Sequence, residues 1–120
     1  MRDEHLNNIL STLNSASADI TASAVISRDG LMMASLLPQG LDPERVGAMS
    51  AALLSLGARA CDELQTGDFD QMLIKGKGGY MLMAQAGQEA VLTALASDEA
   101  RLGLVFLDVR RAAEDLAQVI

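Results

Sequence analysis

Apolar residues recur along this chain with two different periods, and the points where the period changes divide it into helices and strands. Leu6, Ile9, Leu10 and Leu13 fall at i, i+3, i+4 and i+7, which predicts an amphipathic helix over 3–16. Asp3 and Glu4 suit its positive end, and Asn14-Ser15-Ala16-Ser17 weakens the pattern and closes it. Residues 20–27 are rich in β-branched side chains and read as a strand. Asp29-Gly30 then supplies a tight turn that needs positive φ, and 31–36 returns as the partner strand. After the loop at Pro38-Gln39-Gly40, Asp42 caps a helix, Pro43 occupies its first position and Glu44 favours its first turn. That helix is expected over 43–65, stopping near Thr66-Gly67. Strands follow at 69–75, 79–86 and 89–96, with Gly76-Lys77-Gly78-Gly79 turning the first into the second. Leu102, Val105, Phe106, Val109, Ala113 and Leu116 then mark a last helix over 100–118.

The predicted order is α-β-β-α-β-β-β-α, with no repeat or linker, and it reads as one domain over 1–120. The later strands are apolar on both faces. An antiparallel sheet usually keeps one face wet, so these strands call for cover on both sides. The expected fold is α+β, a three-layer α-β-α sandwich.

The helix over 43–65 carries more apolar surface than one packed face needs. Val46, Met49, Leu53, Leu56, Ala60 and Leu64 make the stripe expected to lie on the sheet. Gly47, Ala51, Leu54 and Ala58 make a second stripe, roughly 100° around the axis. The polar seam between them is thin: Arg45, Arg59 and Glu63. Small residues let helices approach closely, and two-fold homodimers are the commonest oligomers. Gly47, Ala51, Leu54 and Ala58 are therefore the expected contact with a second copy, unless other helices of the same chain cover them. The strand at 69–75 reads as a sheet edge, with Asp70 and Lys75 arguing for exposure. Phe69, Met72 and Ile74 join the expected interface.

Composition narrows the function. The net charge of −7 argues against a nucleic-acid partner and against docking on anionic lipid. No apolar run is long enough to span a membrane, and Met-Arg-Asp-Glu-His is too charged to open a signal peptide. A cytoplasmic location is expected. Cys61, the only cysteine, reads as a small buried hydrophobe, and His5, the only histidine, sits near a terminus. Neither a nucleophile–base pair nor a zinc shell can be assembled from them. The glycines at 76–79 join two strands, and no Ser or Thr follows Lys77, so they form a turn rather than a phosphate loop. The acidic pairs Asp3/Glu4, Asp62/Glu63, Asp98/Glu99 and Glu114/Asp115 read as helix-end and surface charge, and Arg110-Arg111 suits a helix C-terminus. No cofactor, metal or catalytic residue is expected.

Over nearly its whole length the chain resembles the Roadblock/LC7 family. The resemblance rests on Ser27-Arg28-Asp29-Gly30-Leu31, the small-residue helix 43–65, and Gly79-Tyr80-Met81-Leu82-Met83 with Ala90-Val91-Leu92. Leu102-Gly103-Leu104 before Arg110-Arg111-Ala112-Ala113 completes it. It implies a five-stranded antiparallel sheet with the middle helix on one face and the terminal helices on the other. It also implies dimers joined through the middle helix and adjacent strand. For an MglB-like single-domain member it implies a non-enzymatic regulator that binds a small Ras-like GTPase and modulates GTP hydrolysis or the nucleotide cycle. A dynein-light-chain-like scaffold or adaptor is the alternative. Arg45, Arg59 and Glu63 are the candidate GTPase contacts. Contacts through long tails of the kind some members use are not expected, and the family offers no catalytic position to transfer.

Overall fold

Turn and cap chemistry places the elements close to where the sequence puts them. The computed structural model describes residues 1–120. It contains α1 (Arg2–Ala16), β1 (Ile20–Ser27), β2 (Met32–Leu36), α2 (Pro43–Glu63), β3 (Gln71–Gly76), β4 (Gly79–Ala86), β5 (Ala90–Ser97) and α3 (Leu102–Val119). The Asp42 carboxylate accepts the Glu44 N–H at 3.0 Å and opens α2. Its far end closes through left-handed backbone at Gln65 (φ 59°) and Gly67 (φ 95°). The connection after that reversal runs on through Phe69 and Asp70, so β3 starts at Gln71 rather than at 69.

The strands form one antiparallel sheet in the order β2-β1-β5-β4-β3. Val25 faces Leu92 across β1 and β5, and Leu82 faces Ala94 across β4 and β5. β2 and β3 are the two borders. β2 has five residues, and its pairing with β1 is bulged between Val25 and Ile26.

Alternation along the strands sends side chains to two unequal layers. On one face α1 and α3 pack Leu6, Leu10, Leu13, Val105, Val109 and Leu116 against Val25, Leu82 and Leu92, within a cluster of 18 buried residues. On the other, α2 covers a cluster of only 5: Ala24, Ile26, Leu54, Met83 and Val91. The thin layer leaves much of the apolar surface of α2 outside the subunit.

Polar ties fix the layers. Ser50 Oγ lies 2.8 Å from Thr93 Oγ1, joining α2 to β5 within the thin layer. Asn14 accepts the Ser23 hydroxyl at 2.8 Å, joining α1 to β1. Before β1, the Asp19 carboxylate accepts the backbone N–H of Arg101 at 3.0 Å and its side-chain Nε–H at 3.1 Å. These bonds hold the Asp19 carboxyl below its ordinary value of 3.8, the backbone bond contributing most.

Candidate protein-contact surface

Which side of α2 meets the sheet is decided by distance of approach. Gly30, at φ 90° in the first hairpin, comes so near the helix that a Cβ on Gly47 would sit 2.7 Å from its carbonyl oxygen. Only glycine fits there. One and two turns further on, Ser50 and Leu54 continue the same side, and all three are buried. Leu54 packs with Ala24, Ile26, Met83 and Val91 of its own chain.

The two stripes are therefore exchanged relative to the sequence expectation. Gly47 and Leu54, expected at a dimer contact, point into their own subunit, and Ala51 beside them is half-buried. Ala58 is exposed but lies on the flank away from β3, in the groove described below. Phe69 and Met72 are half-buried under the helix: a Cβ on Gly57 would meet Met72 Cε at 2.8 Å and Phe69 Cε1 at 3.1 Å. Much of the stripe expected in the core faces out. Met49 is 50% exposed, Leu56 64% and Leu64 74%. Ala60 is exposed with them, while Val46 and Leu53 are half-buried at the stripe's margin. Leu56 is two residues from Leu54, about 200° around the axis, so the two cannot both face the sheet.

β3 is the sheet edge the sequence anticipates. Met72 and Ile74 share the α2 face with Met83 and Met81, their partners on β4, while Leu73 points to the other face. Leu73 and Ile74 are 39% and 41% exposed. Leu53, Met72 and Met81 pack against one cluster beneath the helix. The half-buried margin of the outer stripe, at Leu53, thus adjoins the strand at the border of the sheet.

The opposite flank of α2 borders an open groove of about 1090 Å³. The turn Ser27-Arg28-Asp29, the turn Gly87-Gln88-Glu89, and Ala58, Arg59 and Asp62 of α2 line it. A backbone bond from Arg28 to Glu89 at 3.1 Å holds the two turns together. Arg59, a candidate contact from the polar seam, lies on this flank and pairs at 3.5 Å with Glu63, which follows Met49 and Leu56 along the outer stripe; both are exposed. Arg45 is fourteen residues from Arg59, about 21 Å along the axis, so the three do not converge on one site. Sequence reasoning missed the groove because distant segments of chain build it.

Residues 6–96 match the family profile of the Roadblock/LC7 domain. The chain belongs to the Roadblock/LC7 family. This Roadblock/LC7 chain is 37% identical over 111 residues to the uncharacterized protein MJ1340 of Methanocaldococcus jannaschii, covering 92% of itself and 96% of that protein. Its fold is similar to the gliding protein MglB of Thermus thermophilus, with TM-score 0.90 at 20% identity, over 99% of this chain and 90% of that one. It is similar also to an MglB with tetrameric arrangement, with TM-score 0.91 at 21% identity and the same coverage. At such identities the likeness is one of fold. The five-stranded Roadblock/LC7 sheet, with α2 on one face and α1 and α3 on the other, agrees with the architecture read from the sequence.

Proposed function

We propose that this chain is a homodimeric regulator without chemistry of its own, which binds a small Ras-like GTPase and alters its GTP hydrolysis or nucleotide cycle. One observation carries the reading: the exposed apolar side chains Met49, Leu56 and Leu64 of α2 beside Ile74 on the bare edge of the sheet. Apolar surface of this extent on a charged, acidic chain is stabilised by protein cover. A second copy supplies that cover most simply, because a two-fold axis beside β3 brings each such surface against its twin. Membership of the Roadblock/LC7 family and the fold-level likeness to MglB support the same reading.

Joining through this surface leaves the other flank of α2 open. The GTPase is then met by the groove side, where Arg59 stands beside the two turns. Such a regulator needs only different affinities for the two arrangements of the switch segments. Single-turnover GTP hydrolysis by candidate Ras-like GTPases, with and without this protein, tests the proposal. A changed rate that an Arg59→Glu variant loses supports it. Binding with no change of rate identifies an adaptor instead, and absence of binding to any of them removes the GTPase.

A further inference from the structure

The two halves of α2 are held to the subunit very unequally, and the weakly held half borders both outward surfaces of the helix. We infer that residues 57–63 open locally in the lone subunit, and that a second copy covering the outer stripe orders them, building one wall of the groove as it does so. This coupling rests on the dimer reading above and concerns how the groove is regulated.

The first half of α2 is anchored turn by turn. Asp42 caps it, Gly47 lies against the Gly30 carbonyl, Ser50 bonds to Thr93, and Leu54 is buried among Ala24, Ile26, Met83 and Val91. Nothing comparable follows. From residue 55 to residue 64 no side chain is buried, and only Gly57 and Cys61 are half-buried. Phe69 and Met72 lie beneath Gly57, but both are only half-buried themselves, and Met72 belongs to the edge strand β3. A segment with so few buried apolar contacts opens at lower free energy than the fold around it.

Local chemistry deepens the imbalance. Gly57 stands in the helix interior, where only proline is less favourable than glycine. The last turn has no basic residue, and Asp62 and Glu63 place two carboxylates at the negative end of the helix dipole. Arg59 pairs with Glu63, but both side chains stand largely in water, and cation before anion is the weaker order for residues four apart. Gln65 then turns through left-handed backbone at φ 59°, which side chains disfavour. All four features weaken the same end. The helix can part from the sheet as far back as Gly57, nearly two turns, while its first half stays seated.

This half serves both sides of α2. Leu56, Ala60 and Leu64 run along its outer stripe, all exposed. Ala58, Arg59 and Asp62 line the groove. A second copy that covers the outer stripe needs the helix formed, so its binding stabilises the closed form by mass action. A protein entering the groove then meets an ordered wall and does not bear the entropy of ordering it. By reciprocity, whatever fills the groove tightens the dimer by the same factor.

Hydrogen–deuterium exchange of the full chain, read by mass spectrometry below and above the dimerisation midpoint found by sedimentation, tests the coupling. Below the midpoint, amides at 57–63 should exchange about tenfold or more faster than those at 47–54. Above it they should slow by about tenfold or more, while 47–54 change little. Asp62→Asn removes one carboxylate from the negative end of the dipole and should slow 57–63 alone by about two- to fivefold below the midpoint. Equal protection along the whole helix below the midpoint would overturn the local opening. Exchange at 57–63 that ignores a measured dimerisation would overturn the coupling and leave the dimer standing. A chain that sediments as a monomer at every concentration would remove the coupling together with the dimer. No arm of this experiment involves the GTPase, so its outcome is separate from the hydrolysis test.

Discussion

Ser50 and Thr93 share a hydrogen bond of 2.8 Å between two hydroxyls that are both shut inside the subunit, at 0% and 3% exposure. No buried side-chain nitrogen or oxygen in this protein lacks a partner. Ser50→Ala would create the first, on Thr93. The expected cost is about 1–3 kcal/mol, read from urea denaturation at fixed protein concentration. The double variant Ser50→Ala with Thr93→Val removes both polar atoms and should recover part of that loss. If the double variant is as unstable as the two single losses combined, the bond is not what couples α2 to β5.

Two glycines of α2 should respond differently to alanine. At Gly47 the new Cβ would strike the Gly30 carbonyl oxygen, a backbone atom held in a turn, at 2.7 Å. Overpacking of about 1–3 kcal/mol should outweigh the gain of up to about 1 kcal/mol in helix propensity. At Gly57 the nearest atom is the terminal methyl of Met72, which can swing aside. Gly57→Ala should be neutral within about 1 kcal/mol. Thermal melts of the two variants side by side measure the contrast.

Leu54 and Leu56 are near neighbours in sequence but face opposite environments. Leu54→Asp places a carboxylate among Ala24, Ile26, Met83 and Val91 and should leave no cooperative unfolding transition. Leu56→Asp acts on a side chain already 64% exposed and should keep native circular dichroism while halving the mass in sedimentation equilibrium. An unchanged mass would remove the outer stripe of α2 as the contact between copies.

Asp19 predicts a direction in acid. Its folded-state pKa is depressed by the backbone N–H and then the guanidinium of Arg101, so its contribution is present above the ordinary value of 3.8 and lost as pH falls through the folded value. Asp19→Asn should therefore melt lower than wild type at neutral pH, with the difference shrinking as pH is lowered past about 4 and further into acid. A difference independent of pH would assign the effect to packing, not to the ionised carboxylate.

Much of the fold is legible in the sequence because its boundaries rest on local chemistry. Asp42-Pro43 announces α2, Asp29-Gly30 the first hairpin and Gly76–Gly79 the second, and each element lies close to where those signals put it. The edge position of β3 is also readable, from Asp70 and Lys75. The orientation of α2 is not. Large side chains ordinarily mark the buried side, a rule that puts Met49, Leu56 and Leu64 on the sheet and Gly47 outside. The structure inverts this because the helix passes so close to Gly30 that volume, not hydrophobicity, decides what fits. Ser50 holds the missing signal: a polar residue between Gly47 and Leu54 is tolerated there only because Thr93 of a distant strand answers it. The groove is illegible for a similar reason, since only the folded topology brings its two turns beside α2.

The two borders of the sheet are built unlike one another. β2 is short, bulged and at least half-buried along its length, whereas β3 is straight in register and exposed at all but one position. Each molecule therefore offers a single adhesive rim, and when two such rims meet none is left over. In the proposed dimer, two copies would couple through that rim and still be spared runaway polymerisation into fibres.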